Sequence, residues 1–131
     1  MAQDSWLAKA EQYLASARLL LEKEDVDSSV SRTYYALRFV CSHFLAREGL
    51  NVDRGWKHDT VLNTTIVRSR DKHWLRDLSI GPKKSLSVSF NEVYELRNNA
   101  DYGRNEVSER QAERALVFVQ TVLHAVKENV P

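Results

Sequence analysis

A polar run in the last third of the chain contains the residue types that bind phosphate. It continues an apolar stripe of helical spacing that reaches Val93, and the next position on that stripe is Arg97. Arg97 and Arg104 can each hold a phosphate through two parallel hydrogen bonds, and Tyr102 offers a ring for base stacking. Asp101, four residues after Arg97, supports a second interpretation, an ordinary ion pair at a helix end. Both interpretations remain open at this point.

A second cluster, in the second predicted helix, combines two tyrosines with an arginine. Tyr34 lies on the apolar face, Tyr35 is rotated from it by about 100°, and Arg32 flanks Tyr35. Buried tyrosine hydroxyls require hydrogen-bond partners, and Arg97 or Asp101 can supply them. The alternative is that the two tyrosines only pack in a helical bundle.

The sequence gives little support for a metal site, a phosphate-binding loop or a catalytic nucleophile. None of the histidines lies three or four residues from another histidine or a cysteine, as a short helical metal-ligand pair requires; they are His43, His58, His73 and His124. The four glycines are isolated, so there is no phosphate-binding loop, and no nucleophile elbow occurs. Cys41 falls on the inner face of a helix and is expected in the core. We therefore predict no metal site and no cofactor.

The elements that must position these residues are predicted from apolar periodicity. Five helices are expected: residues 5–24, a second ending at Gly49, residues 57–70, a fourth beginning near Ser85, and a fifth opened by a capping box at Ser108. The short link between the first two predicts an antiparallel α-hairpin. Residues 71–84 are ambiguous: one interpretation is a short helical turn around Trp74, Leu75 and Leu78, with a break at Gly81-Pro82. The expected fold is all-α, an up-and-down bundle of four to five helices in a single domain spanning 1–131.

The composition indicates the structural class of the protein but says little about its function. Of 131 residues, 43% are hydrophobic and 28% charged, which is typical of a globular domain. A single cysteine, no signal-peptide pattern and no apolar stretch of 18 residues predict a cytoplasmic protein without a membrane span. A net charge of +1 indicates no partner. The basic residues within 68–84 either steer RNA or form a solvated loop.

The order of motifs over about residues 8–126 resembles the HEPN family, the higher eukaryote and prokaryote nucleotide-binding domains. The residues that carry the resemblance are Ser31-Arg32-x-Tyr34-Tyr35-Ala36, Lys57-His58, and Val93-Tyr94-Glu95-Leu96-Arg97-x-x-Ala100-Asp101-Tyr102. The resemblance implies a bundle that usually dimerises. It also implies kinship with metal-independent RNA-cleaving toxins of toxin–antitoxin and defence systems, often found beside a small nucleotidyltransferase antitoxin.

The family site consists of an arginine, a polar residue and a histidine one to two turns later. Arg97 and Asn98 match the first two, but Tyr102, Gly103 and Arg104 stand where the histidine is expected. RNA cleavage without metal needs a group that titrates near neutrality, which neither phenol nor guanidinium does unaided.

Three hypotheses follow from this departure. In an endoribonuclease, the catalytic residues are Arg97, Asn98 and Tyr102, with His58 as a second candidate for proton transfer. In a non-catalytic module, the same cleft binds nucleotide or RNA, or docks a partner. A third possibility is that a partner nucleotidyltransferase modifies Tyr102. The residues expected to bind nucleotide or RNA are Arg32, Tyr35, His58, Asp101 and Arg104.

Overall fold

Helices form every regular element in the computed structural model, which describes residues 2–52, 55–103 and 105–131. They are α1 (Ala2–Glu22), α2 (Val26–Arg47), α3 (His58–Arg68), α4 (His73–Arg76), α5 (Leu86–Tyr102) and α6 (Glu109–Asn129). The predicted all-α class is confirmed. The sixth helix is α4, a single turn within the segment whose sequence was ambiguous. No helix in these ranges is both long enough and apolar enough to cross a membrane.

Local sequence signals fix most of the helix ends. Ser108 caps α6 through a reciprocal capping box with Gln111. Gly49, just beyond α2, has a φ of +89°, the left-handed conformation that glycine adopts at low cost. The predicted end of the first helix at Glu24 was wrong by two residues, because the chain already reverses there with a φ of +64°.

Helix α2 is the centre of the molecule. Its most extensive contact is with α1, and it also packs against α3, α5 and α6. Near the turn, the Ser29 hydroxyl of α2 donates to the main-chain oxygen of Ala17 on α1. Farther from the turn, the ring of Tyr13 on α1 contacts those of Tyr35 and Phe39 on α2. Both helices recede from the turn together, so the pair is the antiparallel hairpin that the short link predicted.

Helix α5 lies beside α2 and also contacts α3. The apolar face of α5 is buried through Leu86, Phe90, Val93 and Leu96, in the same hydrophobic cluster as the inner face of α2. Burial of that face directs the following position on it, Arg97, toward the tyrosines of α2.

Candidate functional site

Arg97 projects from the last turns of α5 into the interface with α2. Its side chain is only 13% exposed. One terminal nitrogen, Nη2, donates to the Tyr35 hydroxyl at 3.1 Å, and Nη1 donates weakly to Asn98 Oδ1 at 3.4 Å. The guanidinium carbon lies 5.4 Å from the ring centre of Tyr34 and 5.6 Å from that of Tyr35. The cation therefore stacks near two aromatic faces, a favourable arrangement for a partly desolvated guanidinium.

Asp101 forms the i,i+4 ion pair that the sequence allowed. Its Oδ2 lies 2.8 Å from Arg97 Nε. The Nε–H does not point along this contact, so Nε remains without a hydrogen-bond partner in the part of the chain described. Burial lowers the pKa of Arg97, but Tyr35 and Asp101 together raise it by more. Arg97 is thus a permanent cation with hydrogen-bonding capacity left over.

The two tyrosines of α2 have different roles. Tyr35 is partly exposed and its hydroxyl accepts from Arg97, as the sequence suggested. Tyr34 is fully buried, and its hydroxyl has no partner in the described chain. Burial raises the pKa of Tyr34 despite the opposing effects of Arg97 and Arg38, so its phenol stays protonated.

His58, the first residue of α3, joins this cluster although it lies 39 positions before Arg97 in the sequence. Its ring centre is 5.2 Å from that of Tyr34 and 5.7 Å from that of Tyr35, in edge-to-face contacts. Burial lowers the pKa of His58, and the charges of Arg38 and Arg97 lower it further. The imidazole is therefore neutral at pH 7.

Arg38 is a site residue that sequence reasoning missed. It lies one turn after Tyr34 on α2, and its Nη2 donates to the main-chain oxygen of Trp56 at 2.7 Å. The signal that could have found it is the one that revealed Arg97, a charged residue four positions after an apolar-face residue. We define the Arg97 cluster as Tyr34, Tyr35, Arg38, His58 and Arg97.

The remaining predicted site residues are spread more widely. Tyr102 is 67% exposed at the end of α5. Arg32 lies over the ring of Tyr13, with 5.1 Å between the guanidinium carbon and the ring centre. Tyr13 contacts Tyr35 at 6.5 Å, so Arg32 reaches the cluster only through an intervening ring. Arg104 lies outside the described residues.

In the basic segment of residues 68–84, the part around Lys72 lies far from the Arg97 cluster. Lys72 pairs with Glu48, the residue that follows α2. Glu48 comes 13 residues after Tyr35, which corresponds to about 20 Å along the axis of α2. Two other cations of the segment are engaged in ion pairs, Arg76 with Asp77 and Lys84 with Glu92. The hypothesis that this segment steers RNA remains a prediction.

The single cysteine lies in the core, one turn after Leu37 on α2. Cys41 is buried, as expected for a core residue, and burial raises the pKa of its thiol to about 12. In residues 2–52, 55–103 and 105–131, no three His, Cys, Asp or Glu side chains are grouped so that they could hold a metal ion.

Comparison with known proteins identifies the family of this chain. A family model for the HEPN domain matches residues 3–129. The chain belongs to the HEPN family. This HEPN domain is also 33% identical over 101 residues to a protein of Thermotoga maritima named "UPF0332 protein", in an alignment covering 75% of this chain and 67% of that protein. The resemblance seen in the sequence motifs is thereby confirmed.

Proposed function

We propose that this HEPN domain binds RNA at the Arg97 cluster and cleaves it without a metal ion. The observation that carries the proposal is that Arg97 and His58, distant in sequence, converge on the same pair of tyrosine rings. A fixed guanidinium binds a backbone phosphate, and a nearby imidazole supplies the acid–base group that the family position lacks.

In this mechanism, Arg97 holds the non-bridging oxygens of the scissile phosphate and Asn98 orients it. His58 accepts the proton of the 2′-hydroxyl as that oxygen attacks phosphorus. The bond from phosphorus to the 5′-oxygen breaks, and the leaving oxygen takes a proton from Tyr102 or water. The products are a 2′,3′-cyclic phosphate and a 5′-hydroxyl. The lowered pKa of His58 supports its role as base, because the imidazole enters the reaction unprotonated.

The biological setting is a further part of the proposal. The family relationship supports a cytoplasmic homodimer with two Arg97 clusters across one cleft, acting as the toxin beside a nucleotidyltransferase antitoxin. The exposure of Tyr102 supports the idea that such a partner modifies this tyrosine, because its phenol is accessible at the end of α5.

A second candidate function is a non-catalytic module that binds RNA or nucleotide, or docks a partner protein. The observation that favours it is the engagement of Arg97 by Asp101, Tyr35 and Asn98 within its own chain. A guanidinium with these partners needs no catalytic role to explain its burial.

Incubation of the purified protein with total RNA and with tRNA, in EDTA, separates the two functions. We expect cleavage by the wild type and a loss of about 100-fold or more in Arg97→Ala, since transition-state charge stabilisation is removed. Arg47→Ala is the matched control, because Arg47 is exposed near the far end of α2. Arg97-dependent binding without cleavage would support the non-catalytic module, and absence of both would refute the proposed function.

A further inference from the structure

The Arg97 cluster contains an unusual concentration of unsatisfied polar atoms. In the described residues, four buried side-chain nitrogen or oxygen atoms have no hydrogen-bond partner: Tyr34 Oη, Arg38 Nε, His58 Nδ1 and Arg97 Nε. Each belongs to this one cluster. Buried polar groups in folded proteins are nearly always paired, so these atoms leave hydrogen-bonding capacity for a polar occupant, although Arg97 Nε already lies 2.8 Å from Asp101 Oδ2 in an ion pair.

The chemistry of these atoms indicates an anionic occupant. Three of them are donors: the two guanidinium Nε–H groups and the Tyr34 hydroxyl. Arg97 is balanced by Asp101, whereas no carboxylate of the described residues forms an ion pair with Arg38. The cluster therefore has a surplus of positive charge on the side of Arg38.

Arg38 and His58 of the cluster line an open groove. The groove has a volume of about 610 Å³, and its walls include Arg38, Trp56, Lys57, His58, Asp59 and Tyr94. A volume of this size accommodates a nucleotide. Trp56 and Tyr94 give the walls two aromatic side chains, and base–aromatic stacking contributes about 1–3 kcal/mol per base.

The start of α3 brings charges of both signs to the groove, from Lys57 and Asp59. Its N-cap, Lys57, makes no side-chain capping hydrogen bond, so the positive end of the helix dipole is not neutralised by a cap. Asp59, in the first turn of α3, opposes this effect, because its carboxylate accepts the main-chain N–H of Thr60 at 2.8 Å and adds a negative charge to the groove wall.

We propose that Arg38, Trp56 and His58 form a second nucleotide subsite beside Arg97, in which Arg38 binds a phosphate and Trp56 stacks on the attached base. This inference rests on the proposed binding of RNA at Arg97 and extends it to the neighbouring nucleotide of the strand. A free nucleotide presents the same phosphate and base, so the experiment must separate the two sources.

The first test measures binding of a short 2′-fluoro oligoribonucleotide, which lacks the attacking hydroxyl, by fluorescence anisotropy over a range of salt concentrations. In Arg38→Gln we expect about tenfold weaker binding. We also expect the slope of log affinity against log salt to be smaller by about 0.7, the value for one lost phosphate contact on a single strand. Arg47→Gln is the control. It removes the same charge from α2, nine residues or two and a half turns away.

The second test distinguishes recognition of the phosphate from recognition of the base, and it includes a check that each variant is folded. Arg38→Lys retains the charge and should retain the wild-type salt slope, while Trp56→Leu removes the ring but keeps the main-chain oxygen that Arg38 binds. We expect Trp56→Leu to weaken binding of AMP several-fold and to leave binding of inorganic phosphate unchanged. Circular dichroism verifies that each variant is folded.

The outcomes distinguish this inference from the proposed function. If Arg97→Ala abolishes binding of the oligonucleotide but folded Arg38→Gln keeps wild-type affinity and slope, the second subsite is refuted and RNA binding at Arg97 stands. If the wild type does not bind the oligonucleotide, the proposed function fails. In that case, AMP binding that depends on Arg38 and Trp56 would assign the subsite to free nucleotide, and its absence would refute the subsite as well.

Discussion

At the scale of single residues, the important feature of Arg97 is that its side chain is held in a fixed position. Asp101 and Tyr35 hold its guanidinium on two sides, and the rings of α2 restrict it on a third. A long side chain that is already ordered loses little conformational freedom when a ligand binds. The same contacts that stabilise the helix pair therefore prepare Arg97 for an oxyanion.

His58 gives a prediction about the pH dependence of stability. Burial beside Arg38 and Arg97 lowers its pKa in the folded protein, so protonation favours the unfolded chain. The free energy of unfolding should therefore fall as the pH drops below about 6.5, the ordinary histidine pKa. Above that value, both states are unprotonated and the effect is absent.

The measurement compares urea unfolding of the wild type and His58→Gln at pH 8.5, 7.5 and 5.5. We expect a constant difference between the two proteins at pH 8.5 and 7.5. At pH 5.5 the wild type should lose more stability than the variant, by at most about 1.4 kcal/mol per pH unit. Parallel curves over the whole range would contradict the burial of His58 beside two arginines.

At the scale of elements, the sequence predicted what local chemistry controls. The capping box at Ser108 and the glycine at Gly49 define helix ends through atoms close in sequence, and both were identified correctly. Residues 71–84 have no apolar period, so the sequence located the single turn of α4 around Trp74 and Leu75 without fixing its ends. Its position depends on burial of Leu75 and on contact with α6, which are tertiary effects.

Helices α5 and α6 each carry an i,i+4 contact between a basic and an acidic side chain, and the two contacts should differ in energy. Arg97–Asp101 is mostly buried, whereas the His124–Glu128 pair on α6 is exposed. Asp101→Asn should lower the free energy of unfolding by roughly 1–3 kcal/mol, since a partly desolvated cation loses its counter-charge.

Glu128→Gln is the matched control and should change the free energy by less than about 0.5 kcal/mol. Chemical denaturation of both variants at pH 7 and moderate salt makes the comparison. Equal effects of the two substitutions would show that the contact with Asp101 contributes no more than an exposed i,i+4 contact.

At the scale of the whole molecule, the Arg97 cluster is a product of topology. Tyr35 and Arg97 are 62 residues apart, and Arg38 meets Trp56 across the link from α2 to α3. The periodicity of α5 predicted that Arg97 points inward. No local pattern specifies that the start of α3 brings His58 to the same tyrosines, and so His58 was only one candidate among several. Arg38 carried the same local signal as Arg97, but its contact with Trp56 depends on the path of the chain between α2 and α3.

The oligomeric state is the prediction at this scale. We expect sedimentation to report a homodimer, with twice the 15.1 kDa mass of the chain, because the family relationship supports two clusters facing one cleft. Sedimentation velocity at micromolar concentration, in low and in moderate salt, provides the measurement. A species of 15.1 kDa under both conditions would contradict the shared cleft and restrict the proposed chemistry to a single Arg97 cluster.

The fully enclosed Cys41 has a practical consequence for spectroscopy. The chain has no second cysteine, and this thiol is both shielded from solvent and protonated at any pH used for labelling. A cysteine introduced on the surface would therefore be the sole group to react with a maleimide dye or a nitroxide. The distance between two labels in the proposed homodimer can then be measured without altering the native interior.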